Sequence, residues 1–123
     1  MKGAPVRAPL ATTVLIGALV LGGACGGKKS DPNVTPALNG SQADDAGLVT
    51  GRKVWVGNCV RCHGPSGQGG VGARLAGVVS KNIPNQQNEI NIVTNGAGQM
   101  PPWGDKLTDA EILDVVRFTR EVL

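Results

Sequence analysis

Aromatic side chains are scarce in this 123-residue chain, which contains no tyrosine, two tryptophans and one phenylalanine. A core with so little aromatic volume is weak at this size, and small scaffolds usually need a staple or a cofactor. The formal net charge is only +3, and the chain has neither a Lys/Arg cluster nor aromatics to stack bases. We therefore expect no nucleic-acid binding. The length allows one modest domain.

Histidine is rarer still, because His63 is the single histidine of the chain, and there are only three cysteines. Two of them precede it in the sequence Cys59-Val-Arg-Cys62-His63. Positions i, i+3 and i+4 share one face of a helix, and CxxCH is the motif of covalent c-type haem attachment. We expect Cys59 and Cys62 to form thioethers with the haem vinyl groups and His63 to ligate the iron.

A CxxC pair has three other uses in proteins. A structural zinc site needs four ligands, and the chain after its N-terminal segment offers only two thiols and one imidazole. A thioredoxin-like redox pair normally accompanies a βαβ pattern, which this sequence lacks. A plain disulfide suits an exported chain but leaves His63 without a role. Haem attachment accounts for all three residues.

The N-terminal segment is typical of a secretory signal. Lys2 and Arg7 precede an uncharged run of about 16 residues, 9–24, which ends in small side chains. A membrane-spanning helix needs about 20 apolar residues, so residues 1–24 are predicted to be a cleaved signal peptide. Export agrees with the haem prediction, because bacteria form the thioethers outside the cytoplasm.

Cys25, the third cysteine, follows Leu-Gly-Gly-Ala at positions 21–24. The segment resembles a bacterial lipoprotein signal, although Gly22 stands where that family usually has leucine. The resemblance implies a lipidated Cys25 and a membrane anchor, whereas ordinary signal cleavage nearby is the alternative. The next residues are rich in Gly, Ser, Pro, Asn and Asp and lack hydrophobic periodicity. Residues 25–45 are therefore predicted to be the lipidated cysteine followed by a flexible tether.

Residues 46–123 show three helical patterns separated by Gly- and Pro-rich loops. The first covers about residues 46–61 and the second about 88–95. The third begins at a capping box, Thr108-Asp-Ala-Glu111. An apolar stripe at helical spacing follows it, formed by Ile112, Val115, Val116 and Thr119. No strand pattern is convincing, so the fold is predicted to be all-α.

Residues 46–123 resemble a small class I cytochrome c domain, through the CxxCH motif and through Gly51 and Trp55 before it. In that family a glycine and an aromatic of the first helix cross the C-terminal helix, where an aromatic is expected and Phe118 stands. The resemblance implies a cytochrome c fold with three main helices and loops wrapped around a covalently attached haem. It also implies that the two backbones approach closely at Gly51 and that Trp55 and Phe118 lock the crossing.

The opposite face of the haem iron requires a second ligand. Met100 is the only methionine besides Met1, which the signal peptide would remove, and it precedes the stiff Pro101-Pro102 pair. A methionine is usually core filler, but this segment resembles the ligand loop of the cytochrome family. Cytochromes c use His/Met ligation to raise the reduction potential. We expect His63 and Met100 to be the axial ligands.

The resemblance also implies the residues that surround the ligands. The family fixes its histidine through a backbone carbonyl of a Gly-Pro-x-Leu segment, and this chain has Gly-Ala-Arg-Leu at 72–75. A ligating histidine donates its other N–H to an acceptor, so the Ala73 carbonyl is assigned to His63. Leu75 is expected to contact the haem face. The N–H of Trp103, Arg74 or Lys81 is expected to meet a haem propionate, with a solvated surface role as the alternative for the two charged residues.

Residues 67–72 match GxGxxG, the pattern of dinucleotide-binding loops. That fingerprint needs a preceding strand and a βαβ unit, whereas here it follows a helix and the CxxCH motif. Nucleotide binding is therefore not expected. The glycines are expected to let the chain pass close to the haem edge.

These predictions describe a monohaem cytochrome that carries one electron at a time between membrane or periplasmic redox partners, with no catalysis of its own. A haem sensor or weak peroxidase, in which Met100 dissociates, is one alternative. A fixed electron-transfer subunit of an oxidase or reductase is another. The predicted location is that of an exported, membrane-anchored lipoprotein facing the periplasm or the cell exterior.

Overall fold

Helices joined by irregular loops make up the fold in the computed structural model, which describes residues 31–123. In this part of the chain there is no strand, only an isolated bridge between Ala97 and Met100. The helices are α1 (Ser41–Asp44), α2 (Ala46–Val54), α3 (Val60–His63), α4 (Val79–Asn82), α5 (Gln86–Asn95) and α6 (Asp109–Glu121). A π-helical turn, Trp55–Cys59, lies between α2 and α3. The predicted all-α class and its three main helices are confirmed, and α1 and α4 are short additions.

The first long helix consists of α2, the π turn and α3. The side chain of its N-cap, Asp45, accepts a hydrogen bond from the Leu48 N–H at 3.0 Å, which satisfies one of the unpaired N–H groups of the first turn. Gly64 follows the helix with a φ of 77°, an angle that favours glycine. The helix therefore extends beyond the predicted end at residue 61 and carries the whole CxxCH motif, ending on His63.

Helix α6 begins at the predicted capping box. The Thr108 hydroxyl accepts from the Glu111 N–H at 3.3 Å, while the Glu111 carboxylate accepts from the Thr108 N–H at 2.9 Å. The buried face of the helix consists of Ile112, Val115, Val116, Phe118 and Thr119. The predicted apolar stripe is thus confirmed, and Phe118 lies beside it.

The core lies where α2 crosses α6. A Cβ at Gly51 would collide with the backbone carbonyl of Asp114, so the two backbones approach this closely only because the residue is glycine. Trp55 and Phe118 pack beside this point with ring centroids 6.1 Å apart, and their exposed fractions are 1% and 0%. The predicted crossing is present, and it sets the spacing of the helices on which the site is built.

An ion pair ties the same two helices at the surface. The Arg117 guanidinium donates to both carboxylate oxygens of Asp45, at 3.1 and 2.8 Å, and also to the Glu121 carboxylate. The hydrogen bonds from Arg117 lower the pKa of Asp45 to about 2. Asp45 therefore caps α2 and also links it to α6.

Residues 31–38, here called the strap, lie against the domain, although residues 25–45 are predicted to be an anchor and flexible tether. The Arg52 side chain donates to the backbone carbonyls of Thr35 and Pro36, at 3.3 and 2.9 Å. Composition did not indicate this packing, because backbone carbonyls of the strap make the contacts and any residue supplies a carbonyl. The ordered domain therefore begins before residue 46.

The predicted signal peptide, residues 1–24, and the predicted lipidation site, Cys25, lie outside the described residues. The predicted cytochrome domain, residues 46–123, lies wholly within them. Between residues 31 and 123, none of the helices combines the length and the apolar character that crossing a membrane requires.

Candidate functional site

An apolar pocket lies at the inner surface of the long helices. Five of the predicted site residues line it, namely Cys59, His63, Leu75, Met100 and Trp103. The rest of the lining consists of Trp55, Glu89, Val93, Leu107, Val115, Val116 and Thr119. Cys62 and Ala73 are not part of the lining. The two predicted axial ligands thus share one pocket, although they are far apart in the sequence.

The two cysteines of the motif lie on the last turns of the first long helix. Cys59 ends the π turn and packs against the core, Cys62 lies in α3, and both are half-buried free thiols. Burial, with a further contribution from Cys62, raises the pKa of the Cys59 thiol to about 12. Dithiol redox sites need a thiolate nucleophile, so this protonated thiol counts against a thioredoxin-like role.

His63 is oriented by the loop that follows it. Its Nδ1 atom lies 2.8 Å from the Ala73 carbonyl oxygen, and Nδ1 must carry the proton because a carbonyl can only accept. The lone pair of Nε2 is then available for a metal. Gly72 permits this approach, since a Cβ there would lie 2.7 Å from His63 Cε1. The predicted contact with Ala73 is present without the proline that the cytochrome family uses.

Backbone hydrogen bonds hold that loop against the end of the helix. The Gly69 N–H donates to the His63 carbonyl and the Gly72 N–H donates to the Cys62 carbonyl, both at 2.8 Å. Gly69 has a φ of 94°, which a side chain would disfavour. The glycines of residues 67–72 therefore form a tight loop around His63, and they do not connect a strand to a helix as a dinucleotide-binding loop does.

Met100 is held by a tight turn. Its N–H donates to the Ala97 carbonyl at 2.9 Å, and the Ala97 N–H donates to the Met100 carbonyl at 3.1 Å. Gly96 has a φ of 77°, and a Cβ there would lie 2.5 Å from the Met100 carbonyl oxygen. The backbone position of Met100 is therefore fixed on both sides of the turn.

Trp103 fastens the segment after Met100 to α5. Its backbone N–H donates to the Val93 carbonyl at 3.1 Å. The Lys106 ammonium lies 5.1 Å from the centre of the indole ring, which is a cation–π contact. Trp103 and Leu75 are both half-buried in the pocket wall, so each has apolar surface available for a flat apolar group.

Glu89 is a pocket residue that sequence reasoning missed. This carboxylate of α5 is buried, and it accepts hydrogen bonds from Thr119 Oγ1 at 2.5 Å and from Arg120 Nη1 at 3.0 Å. A glutamate in the first turn of a helix is ordinarily expected at the surface, where it complements the helix dipole. The stripe on α6 indicated that Thr119 is buried, but no local signal indicated its partner.

The pocket suits a covalently bound haem c. Its wall is mostly apolar, and it presents the Cys59 thiol, the His63 imidazole and the Met100 thioether, with Cys62 on the adjoining helix turn. Thiols in this motif form the thioethers, and the imidazole and thioether are the axial ligands of cytochromes c. Within residues 31–123, no cluster of three or more His, Cys, Asp or Glu side chains could hold a metal ion by itself.

The region of this chain that bears the CxxCH motif matches a family model, and the chain is similar to several known proteins. The family described as cytochrome c oxidase, cbb3-type, subunit III matches residues 46–118. The chain is 35% identical over 95 residues to the cbb3-type cytochrome c oxidase subunit CcoP of Azospirillum sp. (strain B510), covering 70% of this chain but only 32% of that protein. It is 31% identical over 96 residues to chloroplastic cytochrome c6 of Chlamydomonas reinhardtii, covering 68% of this chain and 58% of that protein. Among solved structures it is similar to cytochrome CL of Methylophaga aminisulfidivorans MPT, with a TM-score of 0.56 and 28% identity over 68% of this chain and 58% of that one.

Proposed function

The chain belongs to the family described as cytochrome c oxidase, cbb3-type, subunit III, with the cytochrome c fold and one covalent haem c, and we propose that it carries single electrons between redox protein partners. The observation that supports this most is the pocket that His63 and Met100 share. Iron with both axial positions filled by protein has no open position for a substrate. This ligand set therefore suits a carrier rather than a catalyst.

In this proposal Cys59 and Cys62 hold the haem through thioethers, and His63 and Met100 are its axial ligands. The bound haem supplies a one-electron iron couple. The Ala73 carbonyl keeps His63 in a single tautomer, with Nε2 free to bind iron in either oxidation state. Ligands held in place in this way limit the rearrangement that accompanies each electron transfer.

The loops of the domain have a supporting role. The paired hydrogen bonds between Ala97 and Met100 restrain the thioether ligand. Leu75 and Trp103 would cover the haem with apolar surface and exclude water, and the indole N–H of Trp103 is the proposed donor to a propionate. A less polar site raises the energetic cost of charging the iron, which favours a higher reduction potential.

Anchoring at the membrane is part of the same proposal. Export followed by lipidation of Cys25 would place the domain on the periplasmic or outer surface of a membrane. Because residues 31–38 pack against the domain, the linking chain is shorter than a tether that ends at residue 45. The carrier would then work close to the membrane surface, where its partners are expected.

A fixed electron-transfer subunit of a larger oxidase is the second candidate function. The curated relative CcoP, of which this chain spans 32%, is named as a subunit of an oxidase. A haem sensor or weak peroxidase needs a Met100 that leaves the iron easily. The two backbone hydrogen bonds of its turn are an argument against such mobility.

Spectra and mass of the purified full-length protein test the proposal. We expect a pyridine haemochrome spectrum of one haem bound through two thioethers, and a mature N-terminus with lipid on Cys25. The oxidised protein is expected to show the weak band at the red end of the spectrum that reports a sulfur–iron bond. Met100→Ala is expected to abolish that band and lower the reduction potential, whereas Gln99→Ala, an exposed neighbour in the same turn, keeps both.

Each contrary result has a distinct meaning. A sulfur–iron band that survives Met100→Ala would show that Met100 is not the ligand. Ready binding of carbon monoxide by the unmodified protein would favour the sensor, and purification within a stable oxidase complex without cross-linking would favour the fixed subunit. An unmodified N-terminus would contradict the lipid anchor and leave the electron-carrier proposal standing.

A further inference from the structure

Glu89 is the one carboxylate among the described residues that line the pocket, and no Lys or Arg joins it there. Its exposed fraction is 5%. Two side chains of α6 satisfy its oxygens, the Thr119 hydroxyl at 2.5 Å and the Arg120 guanidinium at 3.0 Å. A charged residue thus lines a mostly apolar pocket.

The partner charge belongs to a residue that does not line the pocket. Arg120 is not among the pocket residues, and its guanidinium also donates to the backbone carbonyls of Ile83 and Pro84, at 3.0 and 3.1 Å. The negative member of the ion pair therefore belongs to a residue of the pocket wall, and the positive member contacts the loop before α5. The field of the pair at the pocket is that of a partly compensated negative charge.

Helix packing alone is a poor explanation of this arrangement. Burying an ion pair costs desolvation free energy that the attraction between the charges often fails to recover, and apolar replacements of similar volume are frequently as stable or more stable. The two helices could be joined without placing a charge in the pocket. Elsewhere in the fold, the ion pair between Arg117 and Asp45 links α2 to α6 from a more exposed position.

We propose that the Glu89 carboxylate lowers the reduction potential of the haem, in opposition to the potential-raising thioether of Met100. This inference rests on the proposed haem site. Haem iron in the oxidised state carries one more positive charge than in the reduced state, so a negative charge on the pocket wall stabilises the oxidised state.

The effect is large enough to measure. With an effective dielectric constant of about 20, Coulomb's law makes a unit charge on the order of 10 Å from the iron change the ratio of oxidised to reduced protein roughly tenfold. For a one-electron couple, tenfold corresponds to about 59 mV. Glu89→Gln keeps the shape of the side chain and a hydrogen-bonding oxygen, and it leaves Arg120 charged. The whole contribution of the carboxylate is therefore lost.

Potentiometric titration of the holoprotein tests this inference. Glu89→Gln is expected to raise the reduction potential, so that the oxidised-to-reduced ratio at a fixed ambient potential falls about tenfold. Glu89→Asp, which keeps the charge, is expected to have a reduction potential near that of the unmodified protein. The matched control is Glu121→Gln, which neutralises another Arg-paired carboxylate outside the pocket and is expected to change the ratio less than twofold. High salt is expected to leave the Glu89→Gln shift in place, because buried charges are poorly screened.

A second variant keeps the inference testable if Glu89→Gln fails to load haem. Thr119→Val retains the carboxylate and removes the hydroxyl dipole directed at it, so a smaller shift in the negative direction is expected. Three results would show that Glu89 only joins two helices. They are a change in the oxidised-to-reduced ratio below twofold in Glu89→Gln, an equal change of that ratio in Glu121→Gln, and a higher reduction potential in Thr119→Val. Absence of covalent haem from the unmodified protein would overturn the proposed function instead.

Discussion

Gly51 provides a direct test of how the two crossing helices are held together. A Cβ at this position would collide with the Asp114 carbonyl and lie 3.1 Å from the Cβ of Phe118. The obstacle is a backbone group, which cannot rotate away as a flexible side chain can, so α2 and α6 would have to move apart. Overpacking of this kind costs about 1–3 kcal/mol, against about 1 kcal/mol gained in helix propensity. Gly51→Ala is therefore expected to lower the free energy of unfolding by as much as about 2 kcal/mol.

Gly57 supplies the matched control for this substitution. It lies in the same long helix, but a Cβ there would meet nothing within 4 Å, so Gly57→Ala retains only a gain of about 0.5–1 kcal/mol. Thermal unfolding of the holoprotein measures both variants. In a domain of this size 1 kcal/mol corresponds to about 4–8 °C, so the two substitutions are expected to shift Tm in opposite directions. A Gly51→Ala variant that unfolds at or above the Tm of the unmodified protein would refute the reasoning.

Two further predictions concern the ion pair at the crossing and the strap. Because the Arg117 hydrogen bonds lower the pKa of Asp45 to about 2, below its unfolded value of about 3.9, the pair contributes stability above about pH 4 that is lost as the pH falls toward 2. Asp45→Asn, which can still cap α2, is expected to flatten that part of a plot of unfolding free energy against pH, and an unchanged slope would contradict this. Arg52→Ala removes charged hydrogen bonds worth about 1.5–3 kcal/mol, so thermolysin is expected to cleave the strap at least about tenfold faster. Substitution of the exposed neighbour, Lys53→Ala, is expected to leave the cleavage rate unchanged. Equal cleavage rates in both variants would show that Arg52 does not hold the strap.

The parts of the fold that could be predicted are those with a local cause. The capping box at Thr108 and the apolar stripe after it are formed by residues within a few turns of one another, so α6 could be placed from its own sequence. The crossing at Gly51 is a contact between distant segments. It could be expected only because the chain resembles a family in which a glycine and two aromatics occupy those places.

The strap and the π turn could not be predicted, because each depends on groups that every residue has. Arg52 binds backbone carbonyls of the strap, and composition carries no information about which carbonyls meet a distant guanidinium. In the π turn from Trp55 to Cys59, the backbone hydrogen bonds span five residues instead of four, which changes the helical register. The side chains of the turn are equally compatible with an ordinary α-helix.

The candidate site likewise has residues that could be predicted from local sequence and a geometry that could not. Cys59 and His63 belong to a local motif, and the Ala73 carbonyl could be assigned because its backbone oxygen does not depend on the side chain. Met100 could be predicted from the segment that contains it, because that segment resembles the ligand loop of the cytochrome family. The place of Met100 in the same pocket as His63 depends on the turn that Gly96 and the Ala97 hydrogen bonds create.

Glu89 shows why a motif alone does not determine the properties of the site. Its own neighbours in α5 favour an exposed side chain, and its burial results from Thr119 and Arg120, which α6 brings to it from a distant part of the chain. The segments that attach and ligate a haem carry no information about this charge. If the carboxylate acts on the iron as inferred, two chains with the same CxxCH and Met-Pro segments can differ about tenfold in the oxidised-to-reduced ratio at one ambient potential. The driving force for electron transfer is then set partly by a residue that belongs to neither segment.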